Sequence, residues 1–144
     1  MPKILFDEHV SIDQLPAVGS RIATLLPENF VLWLDGPMGA GKTTITAHVL
    51  RGLGLSENVP VLSPTYTYMN EYQIGDRWYA HMDLYRLTKA HNLDQIISLD
   101  ARNYRGIFVE WPSMLRSPRD LPSSHVLELI PQGEFTRLLK LIES

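Results

Sequence analysis

The sequence predicts a single compact α/β domain over residues 1–144, built on a mixed β-sheet flanked by helices. Segments with strand and helix patterns alternate in the first half of the chain, and pairs of strands joined by short turns follow. The composition is that of an ordinary globular protein, with 44% hydrophobic and 20% charged residues. A length of 144 residues suffices for one such domain and not for two.

The first half of the chain predicts a strand, a helix, a second strand and a second helix. After a short strand over residues 3–8, Ser11 and Gln14 fit a capping box that opens an amphipathic helix. Its apolar residues recur at spacings of three and four, and they are Ile12, Leu15, Val18, Ile22, Leu25 and Leu26. The continuous apolar run 30–34 predicts a central strand buried on both faces. The helix that follows is expected over 42–53, with Gly52 and Gly54 near its C-cap.

The second half of the chain predicts five strands and one helix. The strands are expected over residues 66–72, 77–83, 106–110, 125–130 and 135–142. Turns at 74–76 and 131–134 would join the first two and the last two of these strands into hairpins. The helix is expected over 92–99.

Composition and charge exclude several classes of function. The chain has no cysteine, which rules out disulfides, thiolate nucleophiles and Cys-based zinc sites. The N-terminal residues turn acidic before any long apolar stretch, so we expect no signal peptide or membrane span and a cytoplasmic location. The net charge is −3, whereas proteins that hold nucleic acid alone are more often basic. Any RNA involved would therefore be held mainly by a partner.

A glycine-rich motif carries the strongest functional signal. Gly36-Pro37-Met38-Gly39-Ala40-Gly41-Lys42-Thr43 matches the P-loop pattern G-x-x-x-x-G-K-S/T, between an apolar strand and a helix. The glycines allow backbone N–H groups to turn toward phosphate oxygens, and the helix N-terminus adds its positive dipole end. Lys42 is expected at the β- and γ-phosphates, Thr43 on Mg²⁺ and Thr44 near the α-phosphate. The sequence thus predicts a P-loop NTPase-like fold that binds ATP and Mg²⁺.

Carboxylates at strand ends are candidates for the metal and the attacking water. Glu110 ends the apolar strand 106–110 and is the Walker B candidate, either on Mg²⁺ or as a base for water. Asp83 is a second candidate for the metal or for orienting water, and His81 lies on the same side of its strand. The alternatives are a solvated carboxylate at the sheet edge and a histidine that only makes a local hydrogen bond.

Three further features have more than one interpretation. Thr65 lies in the connection after the P-loop helix, where switch loops often sense a γ-phosphate, but it also fits a simple turn. Trp111 fits the core, an interface or a position beside the nucleotide. The basic segment between Arg102 and Arg119 is either a solvated face or a docking surface, and its arginines are Arg102, Arg105, Arg116 and Arg119.

Taken together, the motifs resemble the TsaE (YjeE) family, the P-loop ATPases of bacterial tRNA threonylcarbamoyladenosine biosynthesis. The resemblance covers nearly the whole chain and rests on four blocks in order. They are the loop 36–44, the segment 63–66 with 70–72, the H-x-D-L-Y-R block from His81, and Val109-Glu110-Trp111-Pro112. One departure is the stretch 92–100, which lacks the family's usual Leu-Gly pair and has fewer acids.

The resemblance implies an ATPase that is slow alone and stimulated by its partners. It implies action with the TsaD–TsaB pair, which transfers threonylcarbamoyl to an adenosine next to the tRNA anticodon, with tRNA contacted only through that complex. By the same resemblance Lys42 and Thr43 have Walker A roles, and Thr65 is a switch residue. Asp83 and Glu110 are metal or catalytic acids, and Trp111 neighbours the site.

Two other classes compete with this interpretation. A small-molecule or nucleoside kinase shares the P-loop, but it needs an acceptor pocket and commonly an Arg-rich lid. The residues after Glu110 are mostly hairpin, so they leave little room for such a lid. A nucleotide-dependent binding module would bind ATP with only incidental turnover. A GTPase is disfavoured because no N-K-x-D motif occurs.

Overall fold

The computed structural model describes residues 2–64, 67–86, 103–115 and 117–144, and the seven strands in these ranges form one sheet. The strands are β1 (Lys3–Ser11), β2 (Phe30–Asp35), β3 (Met69–Ile74), β4 (Arg77–Asp83), β5 (Tyr104–Glu110), β6 (His125–Pro131) and β7 (Thr136–Glu143). Their order across the sheet is β1-β7-β6-β2-β5-β4-β3. Strand β2 pairs in parallel with β5 and β6, and β5 pairs in parallel with β4, while the outer pairs are antiparallel. The predicted α/β fold with a mixed sheet is confirmed.

Two helices, α1 (Leu15–Leu25) and α2 (Lys42–Leu53), pack against each other on one face of the sheet. The side chains of Phe30, Leu32 and Leu34 in β2 point toward them, because alternate residues of a strand share a face. Val31 and Trp33 point to the opposite face, where Leu115 and Leu121 of the segment after β5 pack, so they belong to a second apolar cluster. Among the described residues no helix is long and apolar enough to cross a membrane. The helix predicted over 92–99 lies outside the described residues.

The helix ends differ from the sequence prediction. Residues Ile12–Gln14 form a 3₁₀ turn, and the Ser11 N–H donates to Gln14 Oε1 at 2.9 Å. The prediction that Ile12 faces the core is wrong, because 45% of this residue is exposed and the α-helix begins at Leu15. At the other helix, Gly54 is the C-cap with φ of 116°, whereas Gly52 lies inside α2 against Ser20 of α1.

Strand bounds also differ at several places, and β5 begins at Tyr104, two residues before the predicted start at 106. Strand β1 continues to Ser11, beyond the predicted 3–8, since its pairing with β7 extends to the Ser11–Thr136 pair. Strand β3 begins at Met69, and the predicted start at 66 lies outside the described residues. Strand β7 begins at Thr136, because Phe135 is 63% exposed at the hairpin turn.

Gly106 of β5 lies directly under the ring of Phe30 in β2. A Cβ at this position would stand 2.2 Å from Phe30 Cζ, and Phe30 is itself enclosed by Tyr79 and Phe108. Gly106→Ala should therefore lower the free energy of unfolding by about 2 kcal/mol. Chemical denaturation of the parent and the variant measures this difference.

The matched control removes the atoms with which the new methyl group collides. In a Phe30→Leu background, Gly106→Ala should cost markedly less, because leucine has no atom at the Cζ position. An equal cost of Gly106→Ala in both backgrounds would contradict the proposed contact.

Candidate nucleotide-binding site

The site lies at the edge of the sheet where the parallel strands β2, β4 and β5 end. The register places Leu34 opposite Glu110 and Asp83 opposite Glu110. The loop 36–41 leaves the end of β2 and leads into α2. Carboxyl ends of parallel strands are the usual binding edge of such sheets, so one short connection brings the loop to both acids.

The loop has the backbone that the motif requires. Gly39 and Gly41 have φ of 79° and 96°, a region that residues with a side chain rarely adopt. The Ala40 N–H donates to the Pro37 carbonyl at 3.1 Å, which closes a turn just before α2. Because the first N–H groups of a helix lack partners within it, this N-terminus is suited to an anion.

Lys42 is buried at the start of α2, with 5% of its surface exposed. Its Nζ donates to the Gly36 carbonyl at 2.7 Å and to the Pro37 carbonyl at 3.3 Å, and lies 3.7 Å from the centre of the Trp111 ring. Burial lowers the pKa of the Lys42 ammonium, an effect partly opposed by Glu110, Asp83 and Asp35. A cation with little solvent around it interacts strongly with an incoming anion.

Glu110 is the point at which the elements of the site meet. Its side chain is buried, and its Oε2 accepts a hydrogen bond from Thr43 Oγ1 at 2.7 Å. The same oxygen lies 2.5 Å from His81 Nε2 on the neighbouring strand. A hydroxyl from α2 and an imidazole from β4 therefore share one carboxylate oxygen from β5.

Asp83 is also buried, and it is tied to the connection after α2. Ser63 Oγ donates to Asp83 Oδ2 at 3.3 Å, and the Tyr85 N–H donates to Oδ1 at 2.9 Å. The Asp83 N–H donates to the Tyr68 carbonyl at 3.0 Å. Ser63 thus contacts the side chain of the second acid, and Tyr68 contacts its backbone.

A cavity of about 470 Å³ opens over these groups. Trp111 forms part of its wall with φ of 59°, and its ring centre is 5.0 Å from that of Tyr85. The cavity is lined by Met38, Gly39, Gly41, Lys42, Thr43, Thr44, Ser63, Asp83, Tyr85, Arg86, Glu110 and Trp111. Its volume is within the usual range of small-molecule sites.

Most of the residues predicted for the site are brought together, but not all of them. Gly36, Pro37 and Ala40 do not line the cavity and contribute backbone carbonyls instead. Arg105 is paired with Glu28 at 2.6 Å, at the far end of β5 from Glu110. The backbone N–H of Arg119 donates to Ser117 Oγ within a short turn. Thr65, Arg102 and Arg116 lie outside the described residues.

One contact to the loop was missed by sequence reasoning. Arg137 of β7 donates through Nε to the Ala40 carbonyl at 3.1 Å, so the last hairpin supports the phosphate loop from outside. No motif marks this arginine, because it is separated from Ala40 by most of the chain. The contact follows only from the position of β7 beside β6.

The donor set at this edge suits magnesium better than a metal held by protein alone. The described residues contain no group of three or more His, Cys, Asp or Glu side chains that would hold a metal ion. Magnesium commonly takes one or two protein ligands and completes its shell with phosphate oxygens and water. Thr43 Oγ1 and the Glu110 carboxylate fit that pattern.

Comparisons with known proteins agree with the motifs. The family model described as "Threonylcarbamoyl adenosine biosynthesis protein TsaE" matches residues 10–137. The chain belongs to the TsaE family. The site residues described above, from Gly36 to Arg137, all lie within the matched part of the chain.

Individual TsaE proteins show similarity over much of the chain. The tRNA threonylcarbamoyladenosine biosynthesis protein TsaE of Haemophilus influenzae is 36% identical over 113 residues, 78% of this chain and 69% of that protein. The Nostoc protein is 34% identical over 125 residues, 81% of this chain and 72% of its own. The Synechocystis protein is 42% identical over 69 residues, which is 48% of this chain and 43% of that protein. The crystal structure of Bacillus subtilis YdiB superposes with a TM-score of 0.72 at 25% identity, covering 99% of this chain and 87% of that one.

The Arg137 contact generates a prediction about the phosphate loop. Arg137→Ala removes the donor to the Ala40 carbonyl and should weaken binding of an ATP analogue by about threefold to tenfold, the worth of one hydrogen bond. Titration calorimetry at a temperature well below unfolding measures the affinity.

Arg21→Ala is the matched control, because Arg21 pairs with Glu8 on the surface at 2.7 Å. This variant should bind the analogue like the parent protein. Equal affinities of Arg137→Ala and Arg21→Ala would show that the loop does not depend on Arg137.

Proposed function

We propose that this chain is a Mg²⁺-dependent ATPase that acts with TsaD and TsaB in threonylcarbamoyladenosine modification of tRNA. The observation that carries the proposal is the 2.7 Å hydrogen bond between Thr43 and Glu110. It joins the hydroxyl that follows the P-loop lysine to a buried acid at a strand end, the pair that positions magnesium in P-loop NTPases.

The phosphates are bound by the loop and by the start of α2. Gly41 and Lys42 line the cavity at the start of α2, where backbone N–H groups would donate to phosphate oxygens. The Lys42 ammonium exchanges the carbonyls of Gly36 and Pro37 for phosphate oxygens, and it retains the Trp111 ring as a neighbour. Thr43 and Glu110 would hold Mg²⁺, which would supply positive charge to offset that of the phosphates.

The two acids act on the metal and on water. Glu110 holds Thr43 through Oε2, which leaves its other oxygen for a metal-bound or attacking water. Asp83 has both oxygens engaged, with Ser63 and Tyr85, and we propose that it orients the metal shell. Because Glu110 and Asp83 are buried, their charges act on the phosphates with less screening than on an open surface.

The biological setting comes from the family and from charge. The relatives are named for tRNA threonylcarbamoyladenosine biosynthesis. With a net charge of −3, this chain is poorly suited to holding tRNA alone, so tRNA is reached through TsaD and TsaB. Turnover is slow for the isolated chain, and the partners stimulate it.

A kinase is the weaker candidate. Most of residues 125–143 belong to β6 and β7, which pair with the rest of the sheet and do not form a lid over the phosphates. Stimulation of hydrolysis by TsaD–TsaB, without transfer of phosphate to a nucleoside, would separate the two functions.

The first test of the function removes the charge at the phosphates and the two acids. Lys42→Ala should reduce ATP affinity or turnover by at least about tenfold. Asp83→Ala and Glu110→Ala should slow single-turnover hydrolysis more than they weaken binding, since their work lies on the metal and the water. Calorimetry with an ATP analogue and single-turnover hydrolysis measure the two effects separately.

Lys3→Ala and Glu134→Ala are the controls, because both side chains are exposed and lie outside the cavity. If Lys42→Ala behaves like Lys3→Ala, the phosphate-loop assignment is wrong. If both acid variants hydrolyse ATP like Glu134→Ala, the carboxylates have only a structural role.

The second test concerns nucleotide-controlled docking. Because the connection after α2 contacts Asp83 through Ser63 and Tyr68, a ligand at the γ-phosphate position alters this segment. ATP with Mg²⁺ should change the affinity for TsaD–TsaB by about 5-fold to 150-fold, the range of typical coupling energies. Titration of the labelled chain with TsaD–TsaB in ADP, in an ATP analogue and without nucleotide measures this factor.

Thr65→Ala should reduce the effect of ATP with Mg²⁺ on the affinity for TsaD–TsaB, while leaving ADP binding nearly intact. Thr67→Ala is its matched control, because the Thr67 hydroxyl donates to Asn70 on the surface at 3.2 Å. Equal affinities in all three nucleotide states would disprove the switch without disproving the ATPase.

A further inference from the structure

We propose that His81 is a positioning residue that donates from Nε2 to Glu110 Oε2 and thereby presents Glu110 Oε1 to the cavity. The inference rests on the proposed function, in which Glu110 is the acid beside the metal and the water. No family name or sequence motif assigns this role to His81.

The sheet register brings the imidazole to the carboxylate. His81 pairs with Phe108 and Asp83 pairs with Glu110 across β4 and β5, so His81 and Glu110 are diagonal neighbours on the helix-facing side. His81 is fully buried and its Nε2 lies 2.5 Å from Glu110 Oε2. Such a contact is within direct hydrogen-bond distance and is shielded from water.

The hydrogen bonds determine which ring nitrogen of His81 carries the proton. Glu110 Oε2 accepts a hydrogen bond from Thr43, and an ionised carboxylate has no proton to donate to His81. The hydrogen bond between His81 and Oε2 therefore requires a proton on His81 Nε2. In the neutral ring Nδ1 is then a bare acceptor. Among the described residues, His81 Nδ1 is the one buried side-chain nitrogen or oxygen without a hydrogen-bond partner.

The unpartnered nitrogen argues against a purely structural role. A buried polar atom without a partner destabilises the fold, and an apolar side chain at this position would avoid that cost. Among the described residues, the one hydrogen bond of the His81 side chain is with Glu110. The residue is therefore best explained by what it does to that carboxylate.

Two donors on one oxygen fix the orientation of the whole carboxylate. With Thr43 alone, the group is held at one point and is free to turn about it. With His81 as well, Oε2 is held from α2 and from β4, and Oε1 has no hydrogen bond among the described residues of the cavity. Small errors in the placement of a catalytic group are costly, about 100-fold for 1 Å.

A pair of substitutions tests whether His81 acts by donating a hydrogen bond to Glu110 or only by filling space. In His81→Gln the amide nitrogen reaches the position of Nε2, whereas in His81→Asn it falls short, near the position of Nδ1. His81→Asn should slow single-turnover ATP hydrolysis by about tenfold or more, and His81→Gln by less than about threefold. Affinity for an ATP analogue should stay within about twofold of the parent in both, because the phosphates contact α2 and its loop.

A second measurement needs neither nucleotide nor metal. In ¹⁵N-histidine NMR spectra of the parent chain, His81 should be the Nε2-protonated tautomer, and Glu110→Ala should shift its Nε2–H resonance strongly. His125 provides an internal reference, since its Nδ1 contacts Ser124 and not the cavity. An Nδ1-protonated His81, or a resonance indifferent to Glu110→Ala, would overturn the proposed hydrogen bond.

The outcomes distinguish this inference from the function on which it rests. If the parent hydrolyses ATP and Glu110→Ala is impaired, but His81→Asn is as active as the parent, the inference alone is overturned. If His81→Asn slows Glu110→Ala further, His81 acts independently of Glu110 and the positioning role is wrong. If the parent does not hydrolyse ATP even with TsaD–TsaB, the proposed function fails and the catalytic role of His81 fails with it.

Discussion

The hydrogen bond from Thr43 to Glu110 is the contact on which the geometry of the site depends. It links the first turn of α2 to the end of β5, so it sets the distance between the phosphate loop and the sheet. The bond exists only because β2 and β5 are parallel and in a register that puts Leu34 opposite Glu110. A slip of one residue would turn Glu110 to the opposite face of the sheet, away from α2.

Around this bond the protein concentrates polar groups that a core normally excludes. The buried polar or charged side chains of the described residues are Lys42, Thr46, His81, Asp83, Glu110 and His125. Four of the six belong to the site or adjoin it, and Thr46 braces it by donating to the Lys42 carbonyl at 2.9 Å. Such a cluster costs stability, and it is tolerated because preorganised charges act on a ligand without first rearranging.

The sequence predicted the parts of the fold that local patterns determine. The helix from Lys42 to Leu53 and the strand from Arg77 to Asp83 have the predicted bounds, since a P-loop and a tight turn mark their ends. Ile12 was misplaced because a spacing of three or four continues through a 3₁₀ turn, although the turn faces water. The sequence also did not predict that both described helices lie on the same face of the sheet. Hydrophobic periodicity shows which side of a helix is buried, but not which face of the sheet the helix covers.

For the site, spacing and residue type identified the loop and both acids as candidates, and the structure brings them to one cavity. Contacts between distant strands were beyond the reach of the sequence. The single oxygen of Glu110 shared by Thr43 and His81 depends on register across β4 and β5, which no local pattern encodes. The Arg137 contact similarly requires β7 to lie next to β6.

The Arg137 contact also bears on the order in which the protein assembles as it is synthesised. The phosphate loop occupies residues 36–41, but the guanidinium that supports it comes from β7, the last described strand along the chain. Likewise, both edges of the central strand β2 are paired only after β5 and β6 have been synthesised. A nascent chain therefore carries an incomplete loop and open strand edges until translation has passed β7, and such long-range closure is slow. The full affinity of the loop for nucleotide is therefore reached late in folding, after β7 has paired with β6 and Arg137 contacts Ala40.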